Sequence, residues 1–500
     1  MKHRVLCSIL AALLLLPTLA ACGRDGTAQN GSGTTAPVAD TATTPVETEP
    51  ETTAPSLEEI LGFAKADNGG RPFTILSNST SSYEFNVDAL TGDVVSDAVF
   101  KKDQMVEEYL GIDLKIILEN GSWAKRSGFN SKITQAVNSN DATYDLVSNM
   151  LVCTLPLAAS GAFIDGNELP HVSFDQPWWL ADMYERFSVS GKLYGFLGDA
   201  SLSLYKDMSV VFFNKAIWEA QKPDANLYEL VRNNEWTLDK FIELCSDMSR
   251  DLNGDGQYDS DNDQLTYFGE HVPNGTWHTA LNLQLIEYDE NGTPTYTGLT
   301  ERFDTAYRKL ANFRETVPGI KDQDSAVVGQ YTPRETFAAG RVATMTNFIY
   351  TTEYIRDMED DYGIVPIPKY DQNQEKYITQ IGTSTSTLFV PKTVSDIALT
   401  SKVMECEAYF GYTEVSPKYY EVALKTKYAS DADMQEMLDI IRDGATIDFL
   451  FVHGTALMNT PYQFFRYANI YPSLASAFKA LDKSFEASLD KMTAAYAALN

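Results

Sequence analysis

Apolar and polar residues follow two alternating patterns over the first part of the chain that can fold. Short apolar runs at 73–76, 112–118 and 144–147 are typical of buried strands. Between them, apolar residues recur at helical spacing over 96–110 and 131–138. Because strands and helices alternate in this order, the pattern predicts a parallel sheet with right-handed crossover connections.

The polar residues that follow these strands are candidates for ligand binding. The segment 77–82 is rich in Ser and Asn and follows the first strand, and 148–150 follows the third strand. Ligands of parallel α/β sheets bind beyond the carboxyl ends of the strands. We therefore expect Asn78 and Asn149 to lie close to a bound ligand.

The remaining chain continues the mixture of strands and helices. The stretch 193–214 is extended and rich in β-forming residues, whereas 238–249 has the pattern of an amphipathic helix capped by Thr237. From residue 395 onward the pattern is mostly helical. The chain is predicted to be an α/β protein with a helical C-terminal region.

The chain begins with a short positive flank and an apolar run, 5–19, which ends in Leu19, Ala20, Ala21 and Cys22. This is the pattern of a secretory signal peptide with a small-residue cleavage site. The last four residues resemble the lipobox of bacterial lipoproteins, which implies that Cys22 is acylated and becomes the mature N-terminus. An ordinary signal peptide with an incidental cysteine is the alternative.

Two N-terminal segments follow from this interpretation. Residues 1–22 would be a lipoprotein signal peptide, and 23–56, which consist largely of Thr, Pro, Gly and Glu, would be a disordered linker. We expect the folded part to be held by its lipid on the extracellular face of a bacterial cell membrane.

The charge of the chain narrows its possible partners. With 69 acidic and 39 basic residues the net charge is −30, so phosphate backbones would repel it and nucleic-acid binding is not expected. The same charge disfavours adsorption to anionic lipid, which leaves the N-terminal lipid as the contact with the membrane. No later apolar run reaches about 18 residues, so no transmembrane helix is expected.

Catalytic motifs are missing from the sequence. It contains no His-Glu-x-x-His, no Gly-x-Ser-x-Gly and no glycine-rich phosphate loop. Paired carboxylates stay possible because acidic residues are so numerous. We expect a protein that is not an enzyme.

Four stretches resemble one family. They are 191–195 with 210–215, then 235–241, 337–345 and 362–369, and in this order they are similar to the family 1 extracellular solute-binding proteins, the maltose-binding-protein-like lipoproteins of ABC importers. The resemblance implies two lobes, each a mostly parallel sheet flanked by helices, which close over a ligand. Lobe 1 would be 57–203 plus 388–430, and lobe 2 would be 204–387 plus 431–500.

The resemblance also implies a function. The protein would capture a carbohydrate, an oligosaccharide in our interpretation, between its lobes and deliver it as a monomer to the permease of an ABC importer. The alternatives are a secreted carbohydrate-active enzyme and a binding protein for a peptide or another polar solute.

Aromatic rings and polar groups are the residue types that such a cleft needs. A ring stacks on the C–H face of a sugar while amides and carboxylates bond its hydroxyls, although each ring could equally be core. The candidate ligand-binding residues are Asn78, Trp123, Asn149, Trp178, Asp199, Tyr205, Trp277, Asn347, Phe348, Tyr350, Thr383 and Ser384.

A second candidate site has the oxygen spacing of a calcium loop. Gly256 permits its sharp turn, and the twelfth position holds an amide instead of the bidentate Glu that the pattern requires. The candidate ligands of a structural Ca²⁺ are Asp251, Asn253, Asp255, Gln257, Asp259 and Asn262. A merely acidic turn is the alternative.

Overall fold

A computed structural model describes residues 55–499 except 86, 88, 181, 270–274, 323–331, 429–431 and 458–472. Cys22 and the linker predicted at 23–56, apart from its last two residues, lie outside the described residues. None of the helices in the described ranges is long and apolar enough to cross a membrane.

The described strands fall into two main sheets and two short pairs. They are β1 (Arg71–Asn78), β2 (Ile112–Glu119), β3 (Leu146–Met150), β4 (Ser209–Asn214), β5 (Leu265–Gly269), β6 (Ile286–Tyr288), β7 (Pro294–Tyr296), β8 (Ile320–Asp322), β9 (Val342–Phe348), β10 (Tyr362–Val365), β11 (Thr379–Gln380), β12 (Ser386–Phe389) and β13 (Ala445–Thr446).

Helices fill the connections and dominate the C-terminal part. The described α-helices are α1 (Leu57–Leu61), α2 (Val94–Leu110), α3 (Arg126–Asn138), α4 (Leu151–Thr154), α5 (Met183–Phe187), α6 (Ser203–Lys206), α7 (Lys215–Gln221), α8 (Leu227–Arg232), α9 (Leu238–Cys245), α10 (Gly275–Ala280), α11 (Glu301–Thr316), α12 (Pro333–Ala338), α13 (Thr352–Ile355), α14 (Ile397–Phe410), α15 (Ala432–Asp443), α16 (Phe449–Val452) and α17 (Leu474–Ala497). Short 3₁₀ turns cover Ser79–Glu84, Leu155–Ser160, Gly166–Glu168 and Ile349–Thr351, and π-helical turns cover Gly411–Val415 and Lys418–Tyr428.

Sheet 1 has the strand order β12-β3-β1-β2. Strands β1, β2 and β3 are parallel, and β12 joins the edge antiparallel to β3. The predicted β-α-β-α-β order is confirmed, because α2 and α3 connect these three strands. The carboxyl ends of β1, β2 and β3 and the start of β12 therefore share one edge of the sheet.

Sheet 2 has the strand order β10-β4-β9-β5-β8. Strand β5 is parallel to β8 and β9, whereas β4 is antiparallel to β9 and β10. Strands β10, β9, β5 and β8 therefore run in one direction and β4 runs against them, so the sheet is mixed, with four of its five described strands in the same direction. Its register pairs Ser209 with Phe348, which places the start of β4 and the end of β9 at the same edge.

Two crossing segments join the sheets. The chain enters sheet 2 at 206–209 and returns to sheet 1 at 381–386, and the two segments contact each other through an antiparallel bridge between Met208 and Ile381. Because β4 begins and β12 begins directly after these segments, the carboxyl edge of sheet 1 lies next to the edge of sheet 2 where β9 ends.

Helix α2 shows how local sequence sets the boundaries of an element. The Asp93 side chain accepts hydrogen bonds from the N–H groups of Val95 (3.2 Å) and Ser96 (2.9 Å), and Gly111 ends the helix with φ 60°. The helix packs on α14, where Lys102 Nζ lies 2.5 Å from the buried Glu407 carboxylate. The helical C-terminal region is also confirmed.

Candidate functional site

Two buried asparagines lie at the carboxyl edge of sheet 1. Asn78 Oδ1 accepts the N–H of Gly121 (2.9 Å), and Asn149 Nδ2 donates to Thr154 Oγ1 (2.9 Å). Asn78 Nδ2 and Asn149 Oδ1 have no hydrogen-bond partner among the described residues. An unpaired buried polar atom costs about 1–3 kcal/mol, so this edge suits a polar ligand.

Gly121 brings the two asparagines together. A Cβ atom at this position would lie 2.2 Å from Asn149 Oδ1, so any side chain would collide with the amide. Glycine therefore lets the chain after β2 approach β3 closely. The predicted placement of Asn78 and Asn149 at neighbouring strand ends is what the structure shows.

The crossing segments are joined by Asp207. Its carboxylate accepts hydrogen bonds from Ser384 Oγ (2.9 Å) and Thr385 Oγ1 (3.3 Å), and its carbonyl oxygen accepts the N–H of Gly382 (2.8 Å). Burial raises the pKa of Asp207 to about 6 despite these bonds. Thr383, the neighbour of Ser384, is half-buried, and its carbonyl oxygen accepts the N–H of Val152 (3.4 Å).

The facing edge of sheet 2 presents a row of aromatic rings. Phe348 stacks on Tyr350 with ring centroids 5.9 Å apart, and Tyr350 meets Tyr354 edge-on at 6.1 Å. The Tyr354 side chain is 64% exposed. Asn347, beside Phe348, is half-buried, and its Oδ1 accepts the N–H of Phe348 (2.9 Å). Phe348 and Tyr350 are half-buried. The row thus places aromatic rings at this edge, the groups on which a sugar can stack.

One charged cluster spans both sheets and a crossing segment. Lys206 Nζ lies 2.6 Å from the Glu353 carboxylate of α13 and 4.9 Å from the ring centre of Tyr83, which follows β1. Burial, Glu84, Asp207 and Glu353 all raise the pKa of Tyr83. This cluster was missed in the sequence, because single charged residues at turns look like ordinary solvated surface.

A depression of about 560 Å³ lies beside the carboxyl edge of sheet 1. Its described lining consists of Ala124, Arg126, Ser127, Asn130, Ser131, Thr134, Gln135, Val152, Cys153, Pro156 and Thr455. Asn130 connects it to the asparagine pair, because Asn130 Oδ1 accepts a hydrogen bond from Thr154 (3.3 Å), the partner of Asn149. Burial raises the pKa of the Cys153 thiol to about 11, so that thiol is neutral.

The exposed ring of Trp123 lies next to this depression. It is 46% exposed, and the Arg126 guanidinium lies 3.8 Å from its ring centre. Arg126 Nη1 also donates a hydrogen bond to the Trp123 carbonyl oxygen. Sequence reasoning selected Trp123 and missed Arg126, which is the residue that fixes the ring.

Two predicted tryptophans lie in the core. Trp277 is fully buried under sheet 2, with its ring centroid 5.2 Å from that of Phe241. Trp178 is buried against Tyr409, and its Nε1 donates to Glu405 (3.0 Å). Packing occupies the faces of both rings, so the proposed ligand site does not include Trp178 or Trp277.

Asp199 and Tyr205 are also structural in this arrangement. Both are buried, and Asp199 accepts hydrogen bonds from the Tyr205 and Ser416 hydroxyls. Burial raises the pKa of Asp199 to about 6. The Tyr205 hydroxyl also accepts a hydrogen bond from Arg442 Nη2 (3.3 Å), so the polar atoms of both residues are taken up by protein partners.

The candidate calcium loop is closed by its own backbone. Asp251 accepts the N–H groups of Gly254 (2.6 Å) and Gly256 (2.8 Å), and Asp255 accepts that of Gln257 (2.8 Å). Asp259 Oδ1 accepts the N–H of Asn262 (2.9 Å), and Asn253 Oδ1 accepts that of Asp255 (3.0 Å).

These residue types fit Ca²⁺. Within the described ranges, however, no three His, Cys, Asp or Glu side chains are gathered as metal ligands. The calcium site stays a prediction.

The sequence matches no protein-family model and no curated protein. The fold does match solved structures. A cyclo/maltodextrin-binding protein complexed with maltotetraose has a TM-score of 0.56 at 11% identity, covering 84% of this chain and 97% of that one.

Two further solved structures give the same picture, each covering 84% of this chain and 99% of its own. A family 1 extracellular solute-binding protein from Bifidobacterium longum subsp. infantis has a TM-score of 0.53 at 15% identity. An ABC substrate-binding protein from Listeria monocytogenes, in complex with cycloalternan, has a TM-score of 0.53 at 12% identity. The chain therefore has the α/β fold of the ABC solute-binding proteins.

Proposed function

We propose that this protein captures a saccharide between the facing edges of sheets 1 and 2 and delivers it to an ABC importer. One observation carries the proposal: Asn78 and Asn149 on one edge hold amide atoms without a partner among the described residues, and the other edge holds the ring row of Phe348, Tyr350 and Tyr354. The fold supports it, since solved structures with this fold are described as complexes with maltotetraose and cycloalternan.

The chemistry of the two edges is complementary for a sugar. The rings would stack on the apolar C–H face, and the buried amides would exchange hydrogen bonds with hydroxyl groups. The proposed site contains Asn78, Asn149, Trp123, Phe348 and Tyr350. Thr383, Ser384 and Asn347 flank the crossing, where a ligand that touches both edges would reach them.

Binding would act through a change of conformation. A ligand that contacts both edges in a closed form and only one in an open form shifts the population toward closure. We place the hinge at 206–209 and 381–386, where Asp207 joins the two segments. The lobes would be 57–203 plus 388–430 and 204–387 plus 431–500.

The location of the protein is part of the proposal. We propose that Cys22 carries the lipid that holds a monomer at the extracellular face of the membrane, close to the permease. Replacing Cys22 by Ser should leave the protein unlipidated, either uncleaved or released. A processed C22S protein that stays in the membrane fraction would contradict the lipid anchor.

A thermal-shift screen against sugars, peptides and polar solutes tests the function. A ligand at about 100 times its dissociation constant should stabilise the protein by about 2.7 kcal/mol. Chromatography of the recovered ligand distinguishes the alternatives. A sugar recovered intact supports capture, a sugar that is consumed indicates an enzyme, and stabilisation by peptides alone would contradict the saccharide class.

A further inference from the structure

Arg126 is held in place by an aromatic ring and a carbonyl oxygen, not by an acid. Its guanidinium stacks 3.8 Å from the Trp123 ring centre and donates to the Trp123 carbonyl oxygen. Among the described residues it forms no ion pair with Asp or Glu. Arg232, by contrast, contacts the carboxylates of Glu229, Asp433 and Glu436. The charge of Arg126 is therefore available to a ligand.

The depression that Arg126 lines is free of acidic side chains in its described lining. The other polar side chains of that lining carry mostly hydroxyl and amide groups, including Ser127, Asn130, Ser131 and Thr134. The chain as a whole has 69 acidic residues against 39 basic ones, so its general field repels anions. The described lining of the depression thus has one cation and no carboxylate in a chain of strongly negative net charge.

Arg334 has the same arrangement at the edge of sheet 2. Its guanidinium lies 4.3 Å from the ring centre of Tyr354 and 5.7 Å from that of Tyr350. Within the described ranges it too forms no ion pair with a carboxylate. Stacking on a ring occupies the face of a guanidinium and leaves its N–H edge free to bond a planar anion in two places.

We propose that the ligand of this site is an anionic saccharide, whose carboxylate or sulfate group binds Arg126 in the depression. The second arginine, Arg334, would meet the acidic group of another sugar unit along the ring row. This inference rests on the proposed function and narrows its substrate class. A uronic acid and a sulfated sugar share the chemistry that would be recognised, a flat or trigonal group of charged oxygens.

Calorimetric titration of the purified protein tests the inference. The probes are uronate disaccharides from pectin, alginate and hyaluronan, sulfated chondroitin disaccharides, and neutral disaccharides such as maltose, cellobiose and galactobiose. We expect acidic probes of one kind to bind about tenfold or more tightly than any neutral one, with affinity falling as salt rises. Comparison of the uronate probes with the sulfated probes identifies which anion the site recognises.

Three variants separate the role of Arg126 from the general charge. Arg126→Gln should weaken the acidic probe about ten- to a hundredfold, whereas Lys125→Gln removes the same charge from an exposed neighbour outside the depression and should change affinity less than about twofold. Arg126→Lys keeps the charge but loses the paired N–H donors of the guanidinium, so its affinity for the acidic probe should lie between those of the wild type and Arg126→Gln. It also serves as the test if Arg126→Gln lowers the melting temperature.

The outcomes are distinct. Tight binding of a neutral sugar that is indifferent to Arg126→Gln and to salt would overturn the anionic class and leave the proposed function standing. Equal losses in Arg126→Gln and Lys125→Gln would also overturn it, because the effect would then be general charge. If neither acidic nor neutral sugars bind, both this inference and the proposed function fail.

Discussion

Trp123 and Trp277 show how far a residue can be interpreted from its neighbours. Both follow a short Asn-Gly-Ser or Asn-Gly-Thr sequence, yet Trp123 is 46% exposed and Trp277 is fully buried against Phe241. Trp123 lies in the turn before α3 and Trp277 lies in helix α10. The burial of each depends on which side chains pack there from distant parts of the chain. The exposure of these two tryptophans therefore could not be predicted from the sequence.

Alanine substitutions at these two tryptophans should change different properties: Trp277→Ala the stability and Trp123→Ala the affinity for the saccharide. Trp277→Ala removes a buried ring and should lower the free energy of unfolding by about 3–5 kcal/mol. Trp123→Ala should leave the unfolding free energy nearly unchanged and weaken the saccharide. Chemical denaturation and titration of both variants give the measurement. A Trp277→Ala protein with wild-type stability would contradict the placement of this ring in the core.

At the scale of elements, hydrophobic periodicity predicted individual helices and strands but not the pairing of strands that are distant in the sequence. Helix α3 begins at Arg126 and not at the expected residue 131, because its first five residues hold a single apolar residue, Phe129, among Arg, Ser, Gly and Asn. The antiparallel pairing of β4 with β9 joins Ser209 to Phe348, far apart in the sequence, and no local pattern encodes such a partner. Strand ends of sheet 1 were predictable because parallel β-α-β units fix their direction.

The acidic loop at 251–262 is the element whose role the sequence predicts most specifically. If Asp251 and Asp255 hold Ca²⁺, a chelator should lower the melting temperature and added Ca²⁺ should restore it. Asp255→Asn should abolish this response. Asp289→Asn is the matched control, since Asp289 likewise accepts backbone N–H groups in a turn, from Asn291 and Thr293. A wild-type melting temperature indifferent to the chelator would leave only an acidic turn.

Over the whole molecule, several buried carboxyl groups favour their protonated form. Burial raises the pKa of Asp199 and Asp207 to about 6 and that of Glu405 to about 7. A raised pKa means that the folded protein binds the proton more tightly than the unfolded chain. The resulting stability is complete below the unfolded pKa, near 4, and is lost as the pH rises through 6 to 7.

Burial lowers the pKa of His453 to about 4, which opposes this effect below pH 6.5, but the three carboxyl groups outweigh one imidazole. The melting temperature should therefore rise by a few degrees between about pH 8 and about pH 5. High salt should be present at both values to screen the general repulsion of the net charge of −30. Asp207→Asn should reduce the response, because its amide oxygen still accepts the bonds of Ser384 and Thr385 without titrating. A melting temperature that falls on acidification to pH 5 would contradict the account.

The proposed site is a property of the whole chain. Sequence reasoning selected Asn78, Asn149, Phe348 and Tyr350 through strand ends and the family resemblance. The structure places the asparagines at the carboxyl edge of sheet 1 and the rings at and after the end of β9, and their joint role in binding stays a prediction. Arg126 was missed, because only the three-dimensional structure shows that its guanidinium stacks on the Trp123 ring and lines a depression. The described lining of that depression contains no acidic side chain.

Small-angle scattering with and without the saccharide found in the screen tests the central claim most directly. If the sugar is held between the facing edges of the two sheets, the radius of gyration should fall on saturation, because closure brings the lobes together. The same titration with Trp123→Ala should need more ligand to reach the same end point. A radius of gyration unchanged at full saturation would contradict capture between the lobes.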